Sequence, residues 1–262
     1  MTLSQDKICR ALNIACLILA CLFSLSFVYV ALSTLPYPFN LEWMEGHTLE
    51  IIQRIRDGKP LYVKPSLAYV PYIYTPYYFY VSAFVSLFTG VEFIAGRLVS
   101  FAATLGTASL LYCWIRKEQG GRITALITAG IFLATYSLSG RWFDVARIDS
   151  LHLFLMIAGL YVFYFHRTTA GAVASGCLFA AAFFTKQSAL LALFPPFLAG
   201  LFIARRGALI AAGVTAAIMF VGYGWLEYAS GRWFSFYIYD VPAGHRNDLR
   251  QLTLFWTRDM SQ

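Results

Sequence analysis

The chain has 262 residues, 59% of them hydrophobic and 13% charged, with 23 Phe and 17 Tyr. A soluble domain carries roughly 25% charged residues. A soluble core cannot absorb this much apolar surface, so the composition excludes a soluble globular fold and predicts an all-α polytopic membrane protein. The formal net charge of +7 does not point to nucleic acid, because the basic residues sit in small groups between apolar runs, as in cytoplasmic membrane loops. The five cysteines (Cys9, Cys16, Cys21, Cys113 and Cys177) include no CxxC pair. They give no support to a disulfide framework or a zinc site.

In chain order, Lys7 and Arg10 precede an apolar run over residues 13–32. That run is too long for a signal-peptide core and right for a span. Residues 11–34 therefore read as an uncleaved signal anchor with a cytoplasmic N-terminus. Over residues 41–57, Leu41, Met44, Thr48, Ile51, Ile52 and Ile55 recur at helical spacing, and Asp57-Gly58 ends the pattern. Glu42 and Glu45 are three apart and are expected to share one face of that helix. Two readings stand for them: the solvated acidic edge of an interfacial helix, or paired carboxylates suited to proton abstraction or metal binding.

"KPSLAYVPYIYTPYY" follows, with Pro65, Pro71 and Pro76 among tyrosines. Proline at this spacing excludes a continuous helix and predicts an ordered extended loop. Further apolar segments are 75–90, 93–115, 123–140, 150–166, 170–185, 187–204 and 207–229. The basic groups between them are Arg116, Lys117 and Arg122, then His166 and Arg167, then Arg205 and Arg206. All of these become cytoplasmic if 75–90, short and tyrosine-rich, lies in the outer interface instead of crossing. The expectation is one membrane domain over residues 1–262 with seven spans. It comprises a first span 11–34, an outer loop 35–92 with amphipathic helices, six further spans over 93–229, and an outer interfacial tail 230–262.

On this topology the charged features share the outer face. "GRWFDVARIDSLHLF" holds Arg141, Asp144, Arg147 and Asp149. They either pair with one another at the membrane edge, or offer an arginine fork to phosphate with Asp149 capping the next helix. Lys186 and Arg97 at span boundaries either snorkel or serve a ligand. The tail carries Arg232, Asp240, His245, Arg246, Arg250 and Arg258, expected on an interfacial helix after a Pro-Gly turn.

Taken together, "EWMEG…DGKPLY", "YIYTPYYFY", "GRLVSF", "ARID" and "FFTKQSA" resemble the spaced features of the GT-C membrane glycosyltransferases. The nearest branch is that of the protein O-mannosyltransferases and aminoarabinose transferases. The resemblance covers nearly the whole chain, and implies a module of seven spans with a juxtamembrane helix in the first outer loop. It also implies transfer of a sugar, with inversion, from a polyprenyl-phosphate donor to a lipid, glycan or protein hydroxyl on the non-cytoplasmic face. Glu45 or Glu42 would then be the general base, with Met44 standing where the family's motif usually has Asp. Asp149 would orient the acceptor or a metal. Arg147, Lys186 and Arg97 would hold the lipid phosphate, and Tyr74, Pro76 and Tyr77 would shape the loop over the site. The resemblance implies a reaction that needs no nucleotide; a divalent metal, where one is used, would be held by Glu42, Glu45 and Asp149. The resemblance places the protein in the inner membrane if bacterial. Family members usually continue beyond the point where this sequence stops, so a truncated or non-catalytic carrier-binding protein of the same fold is the alternative. A transporter would instead place its ionisable residues at mid-membrane depth.

Overall fold

In the computed structural model, which describes residues 2–244 and 250–259, helices are the regular elements and no strand forms among the described residues. No proline or glycine interrupts residues 2–34, so the first apolar stretch becomes one continuous helix, α1 (Thr2–Thr34), which stops where Pro36 and Pro38 follow. Its hydroxyls are satisfied within the helix: Ser24, Ser33 and Thr34 donate to carbonyls four residues back. Then come α2 (Glu45–Arg56), α3 (Tyr77–Thr89), α4 (Phe93–Lys117), α5 (Arg122–Ala134), α6 (Ile148–Phe165), α7 (Thr169–Thr185), α8 (Ala189–Ala192), α9 (Phe194–Ile203) and α10 (Arg205–Ser230).

Four helices are long and apolar enough to cross a membrane: Asp6–Thr34 of α1, α4, α6 and α10. The chain is a helical membrane protein with at least that many candidate spans. The other apolar helices are shorter than expected. α5 stops at Ala134 instead of 140, because Ser137, Ser139, Gly140 and Arg141 form turns, with Gly140 (φ 68°) and Arg141 (φ 61°) left-handed. Its 13 residues reach about 20 Å, short of a hydrocarbon core of about 30 Å. The segment expected as one span over 187–204 breaks at Leu193, just ahead of Pro195 and Pro196, which lack the donors to continue the ladder. α3 has 13 residues as well, again too short to cross upright. The helix expected over 41–57 begins at Glu45, which leaves Glu42 in the preceding turn. The two glutamates therefore do not share a helical face.

α1 packs on α5, α5 on α4, α4 on α6, α6 on α7, and α7 on α10, while α2 and α3 lie against the N-terminal end of α4. One apolar cluster joins Ile51, Tyr78, Phe79, Leu151, Phe179, Phe183 and Phe234; a second joins Phe27, Ala31, Ala108, Leu133 and Phe143. The predicted loop between α2 and α3 is irregular and fixed by its own hydroxyls. Tyr62 donates to the Tyr74 carbonyl (2.6 Å) and Tyr69 to that of Leu61 (3.0 Å). Thr75 donates to the Phe183 carbonyl at 2.8 Å, tying the loop to α7.

Past the Pro-Gly turn, where the sequence predicts an interfacial helix, Arg250–Leu254 and Phe255–Asp259 are helical; directly beyond α10, the helical turns Trp233–Ser235, Phe236–Asp240 and Val241–Ala243 run on without a break. They fold back onto the loop, where Phe234 is buried between Tyr62 (4.9 Å between ring centres) and Tyr223 (5.3 Å). His245 and Arg246 lie outside the described residues.

α1 and α5 meet most closely at Gly130, where an added Cβ would stand 2.4 Å from the Ala20 Cβ and 2.9 Å from its carbonyl oxygen. Gly130→Val should therefore separate the two helices and cost roughly 1–3 kcal/mol. Gly213→Ala, on α10 with open space around it, should not. Thermal unfolding of the purified protein in detergent compares the two.

Candidate functional site

At the end of the bundle where α1, α2, α4 and α6 converge, two charges are completely removed from solvent. Glu45, the first residue of α2, and Arg97, in the second turn of α4, are each 0% exposed. Arg97 Nε donates to Glu45 Oε1 at 2.9 Å and its Nη2 to Oε2 at 2.7 Å, a bidentate pair. The other guanidinium donors reach the carbonyls of Thr34 (3.0 Å), Tyr37 (2.6 Å) and Phe39 (2.7 Å). Glu45 also accepts from the backbone N–H of Leu41 and of Ala146, each at 2.7 Å. Every N–H of Arg97 is spent, and each Glu45 oxygen takes two bonds. A buried pair survives desolvation only when its remaining donors and acceptors are matched in this way. Neither group has an atom left for a substrate, so the geometry reassigns both from chemistry to architecture.

A second set of charges runs beside the first and is more open. Glu42 Oε1 accepts from Arg147 Nη1 at 2.7 Å; Arg147 Nε donates to Asp149 Oδ2 at 3.0 Å; Lys186 Nζ donates to Asp149 Oδ1 at 2.8 Å. Local structure positions each member. Glu42 accepts from the Met44 N–H at 2.8 Å in the turn before α2, Arg147 caps α6, Asp149 sits in the first turn of α6, and Lys186 caps the end of α7. Arg147 also lies flat on Trp142, 3.9 Å from the ring centre. Side-chain exposure rises along the chain from 7% at Arg147 to 30% at Lys186, so the accessible cation is Lys186.

Glu42 also borders a cavity of about 480 Å³ between the end of α1 and the 136–145 turns, lined by Val30, Thr34, Tyr136, Arg141 and Asp144 among others. Asp144 is 3% exposed; its Oδ2 accepts from the Thr34 hydroxyl at 3.2 Å, and its buried Oδ1 has no hydrogen-bond partner. Burial pushes the Asp144 carboxyl above the usual carboxylate range, against the opposing pull of the Tyr136 and Thr34 hydroxyls. Asp149 borders a smaller, apolar cavity of about 190 Å³ on its other side.

Of the residues singled out by sequence, Glu42, Arg147, Asp149 and Lys186 come together, while Glu45 and Arg97 form the separate buried pair. Tyr74, Pro76 and Tyr77 do not line the large cavity. Tyr74 offers its carbonyl to Tyr62, and Pro76 and Tyr77 begin α3. The loop residue that reaches this region is Tyr72, whose hydroxyl donates to the Met44 carbonyl at 2.9 Å. Its ring packs on His47, 4.0 Å between centres. Gln187 donates to the Ile73 carbonyl at 2.7 Å and ties the loop to the residue after Lys186. Sequence reasoning passed over Asp144 as a site residue, as well as Tyr72 and His47. Asp144 was visible only as one of four charges in a short stretch, with nothing to separate the cavity-facing group from the paired ones.

A divalent metal does not fit these side chains. No three His, Cys, Asp or Glu groups converge as ligands among the described residues. The Arg147 guanidinium stands between Glu42 and Asp149, and Arg97 occupies Glu45. The fold and site thus define a helical membrane protein with an alternating chain of charges at one end, beside a cavity. Comparison of the chain with protein-family models, with curated proteins and with solved structures finds no match.

Removing one partner of a buried, fully bonded pair leaves the other uncompensated, at roughly 3–5 kcal/mol. Glu45→Gln and Arg97→Met should each lower thermal stability by that order, whereas Glu42→Gln should cost less, because its partner Arg147 keeps its bond to Asp149. Asp144 gives a pH signature of opposite sign to that of a salt-bridged acid. A carboxyl with a raised folded pKa holds its proton more tightly when folded. Its contribution is full below the ordinary value near 3.8 and is lost as pH rises through the raised value. The advantage of Asp144→Asn over the wild type should therefore grow as pH rises above the ordinary value near 3.8 in unfolding experiments.

Proposed function

We propose that the protein is an inverting glycosyltransferase of the membrane, moving a sugar from a polyprenyl-phosphate donor to an acceptor hydroxyl. The observation that carries this reading is the position of Glu42. Among the described residues it is the one carboxylate that both borders the 480 Å³ cavity and bonds to the Arg147–Asp149–Lys186 chain. An acceptor hydroxyl in the cavity would meet a base on its wall, and a phosphate beside Arg147 and Lys186 would meet cations on the far side of that base.

In this reading the acceptor oxygen attacks the anomeric carbon from the face opposite the phosphate. The carbon–oxygen bond to the phosphate breaks, and its electron pair leaves on the phosphate. The acceptor proton passes to Glu42. Arg147 and Lys186 stabilise the charge that develops on the departing phosphate, a role that needs fixed cations at the leaving group. Asp149 holds both cations in place until the donor binds. The proposed membrane arrangement has seven crossings, α3 in the interface, a cytoplasmic N-terminus and the charge chain on the non-cytoplasmic side of the inner membrane.

The charges sit at helix ends and not at mid-span, which separates this reading from a transport path. A carrier-binding protein without turnover is the second reading. It is favoured by the closure of the chain, in which each cation is already matched by a carboxylate.

The test is a transfer assay with protein in lipid, using a labelled polyprenyl-phosphate hexose and mixed acceptors. Glu42→Gln should lower transfer by about 100-fold or more, the usual worth of a positioned base, with a smaller loss of thermal stability than Glu45→Gln. Lys186→Gln should raise the donor KM more than it lowers kcat. Full transfer by Glu42→Gln would remove the assigned base, and donor binding without any transfer by the wild type would establish the second reading.

A further inference from the structure

The opposite end of the bundle carries arginines with no ion-pair partner among the described residues. α6 holds Asp149 in its first turn and delivers His166 just past its last residue, about 25 Å away along the helix axis. There the α6–α7 turn meets the start of α10 around a cavity of about 300 Å³. It is lined by Phe163, His166, Arg167, Arg205 and Arg206, with Thr168, Ala172, Ala204 and Gly207. No carboxylate is among the lining residues. Arg205 and Arg206 make no side-chain hydrogen bond or ion pair among the described residues. Arg167 spends its Nε on the Tyr164 carbonyl at 3.3 Å. The nearby acid is Glu118, which caps α4 and faces Tyr164.

The cavity is built by close helix packing. Gly200 of α9 lies so near α6 and α10 that a Cβ there would stand 2.7 Å from Phe163 and 3.0 Å from the Ala208 Cβ. The chain then reverses at Ala204 and enters α10, whose first turn has no side-chain cap. Its uncapped N–H groups add a partial positive charge beside the arginines.

We propose that this cavity binds a phosphate group, and that the phosphate belongs to the headgroup of an anionic membrane lipid. Guanidinium forks match phosphate oxygens bidentately, and basic pockets between membrane helices suit such headgroups. The rim argues for a lipid over a free anion. Leu201, Phe202 and Ile203, at the end of α9 next to the pocket, are 40%, 84% and 65% exposed and offer an apolar surface to acyl chains.

The experiment is native mass spectrometry of the full chain released from detergent containing equal phosphatidylglycerol and phosphatidylcholine. The wild type should retain the anionic lipid in about tenfold excess or more, the scale expected of several arginines at a lipid phosphate. Arg167→Gln/Arg205→Gln/Arg206→Gln should bring retention near parity. Arg116→Gln/Arg122→Gln, on the same face but outside the cavity, should keep the excess. Should the triple variant fail to fold, Arg205→Lys/Arg206→Lys preserves charge while removing the forks, and should lose a measurable part of the preference. Equal retention of the two lipids by the wild type, or equal loss in the control variant, would overturn the pocket. Displacement of phosphatidylglycerol by millimolar inorganic phosphate would overturn the lipid source and leave a free-anion site.

Discussion

A buried guanidinium and a buried carboxylate hold this molecule together at the end where its paired charges are concentrated. Desolvating two charges costs several kcal/mol per ion, and Coulomb attraction alone does not recover it. Arg97 and Glu45 recover it by saturation. The arginine's five donors reach the glutamate and three backbone carbonyls, and the glutamate takes two further backbone donors. Those bonds join the end of α1, the segment from Leu35 to Leu41, the start of α2, α4 and the turn before α6. Three parts of the chain distant in sequence, residues 34–45, Arg97 and Ala146, thus share one electrostatic joint.

The placement of the other charges follows from that joint. The Ala146 N–H is committed to Glu45, which fixes the backbone between Asp144 and Asp149. With Ala146 held, Asp144 lines the cavity beneath Thr34, Arg147 turns towards Glu42, and Asp149 enters the first turn of α6 within reach of Lys186. Glu42 is positioned from the other side, because the turn that carries it ends in Glu45. The open chain of charges is therefore oriented by groups that are themselves inaccessible. That explains how two glutamates three residues apart come to have different work.

Much of the architecture was readable in the amino-acid order. Apolar runs, helix-ending prolines and the Asp57-Gly58 stop placed most helices to within a few residues. The irregular loop after α2 followed from Pro65, Pro71 and Pro76. The errors have physical causes. α5 ends at Ala134, and turns carry the chain from there to the left-handed Gly140 and Arg141, a local change that hydropathy does not register. The start of α2 shifted because the Glu42 side chain satisfies the Met44 N–H and competes with the helix for that donor. Residue type and membrane depth singled out four side chains that come together, Glu42, Arg147, Asp149 and Lys186. They could not distinguish Glu45 from Glu42, because the partners that differ are Arg97 at 52 positions away and Arg147 at 105. Pairing at that separation has no local signature.

The two ends of the bundle treat charge differently, and the difference bears on how the protein sits in a bilayer. At the Glu42 end the cations of the joint and of the chain are each bonded to a carboxylate. At the other end, Arg116, Lys117, Arg122, Arg167, Arg205 and Arg206 gather at helix termini, with few acids to offset them. A membrane with an anionic cytoplasmic surface attracts the unmatched end and is nearly indifferent to the neutral one. In the proposed orientation the matched end stays uncommitted to lipid headgroups. The phosphate of the proposed donor would compete there with Asp149 for Lys186, and with both Glu42 and Asp149 for Arg147, an exchange of one anion for another that leaves the buried Arg97–Glu45 joint undisturbed.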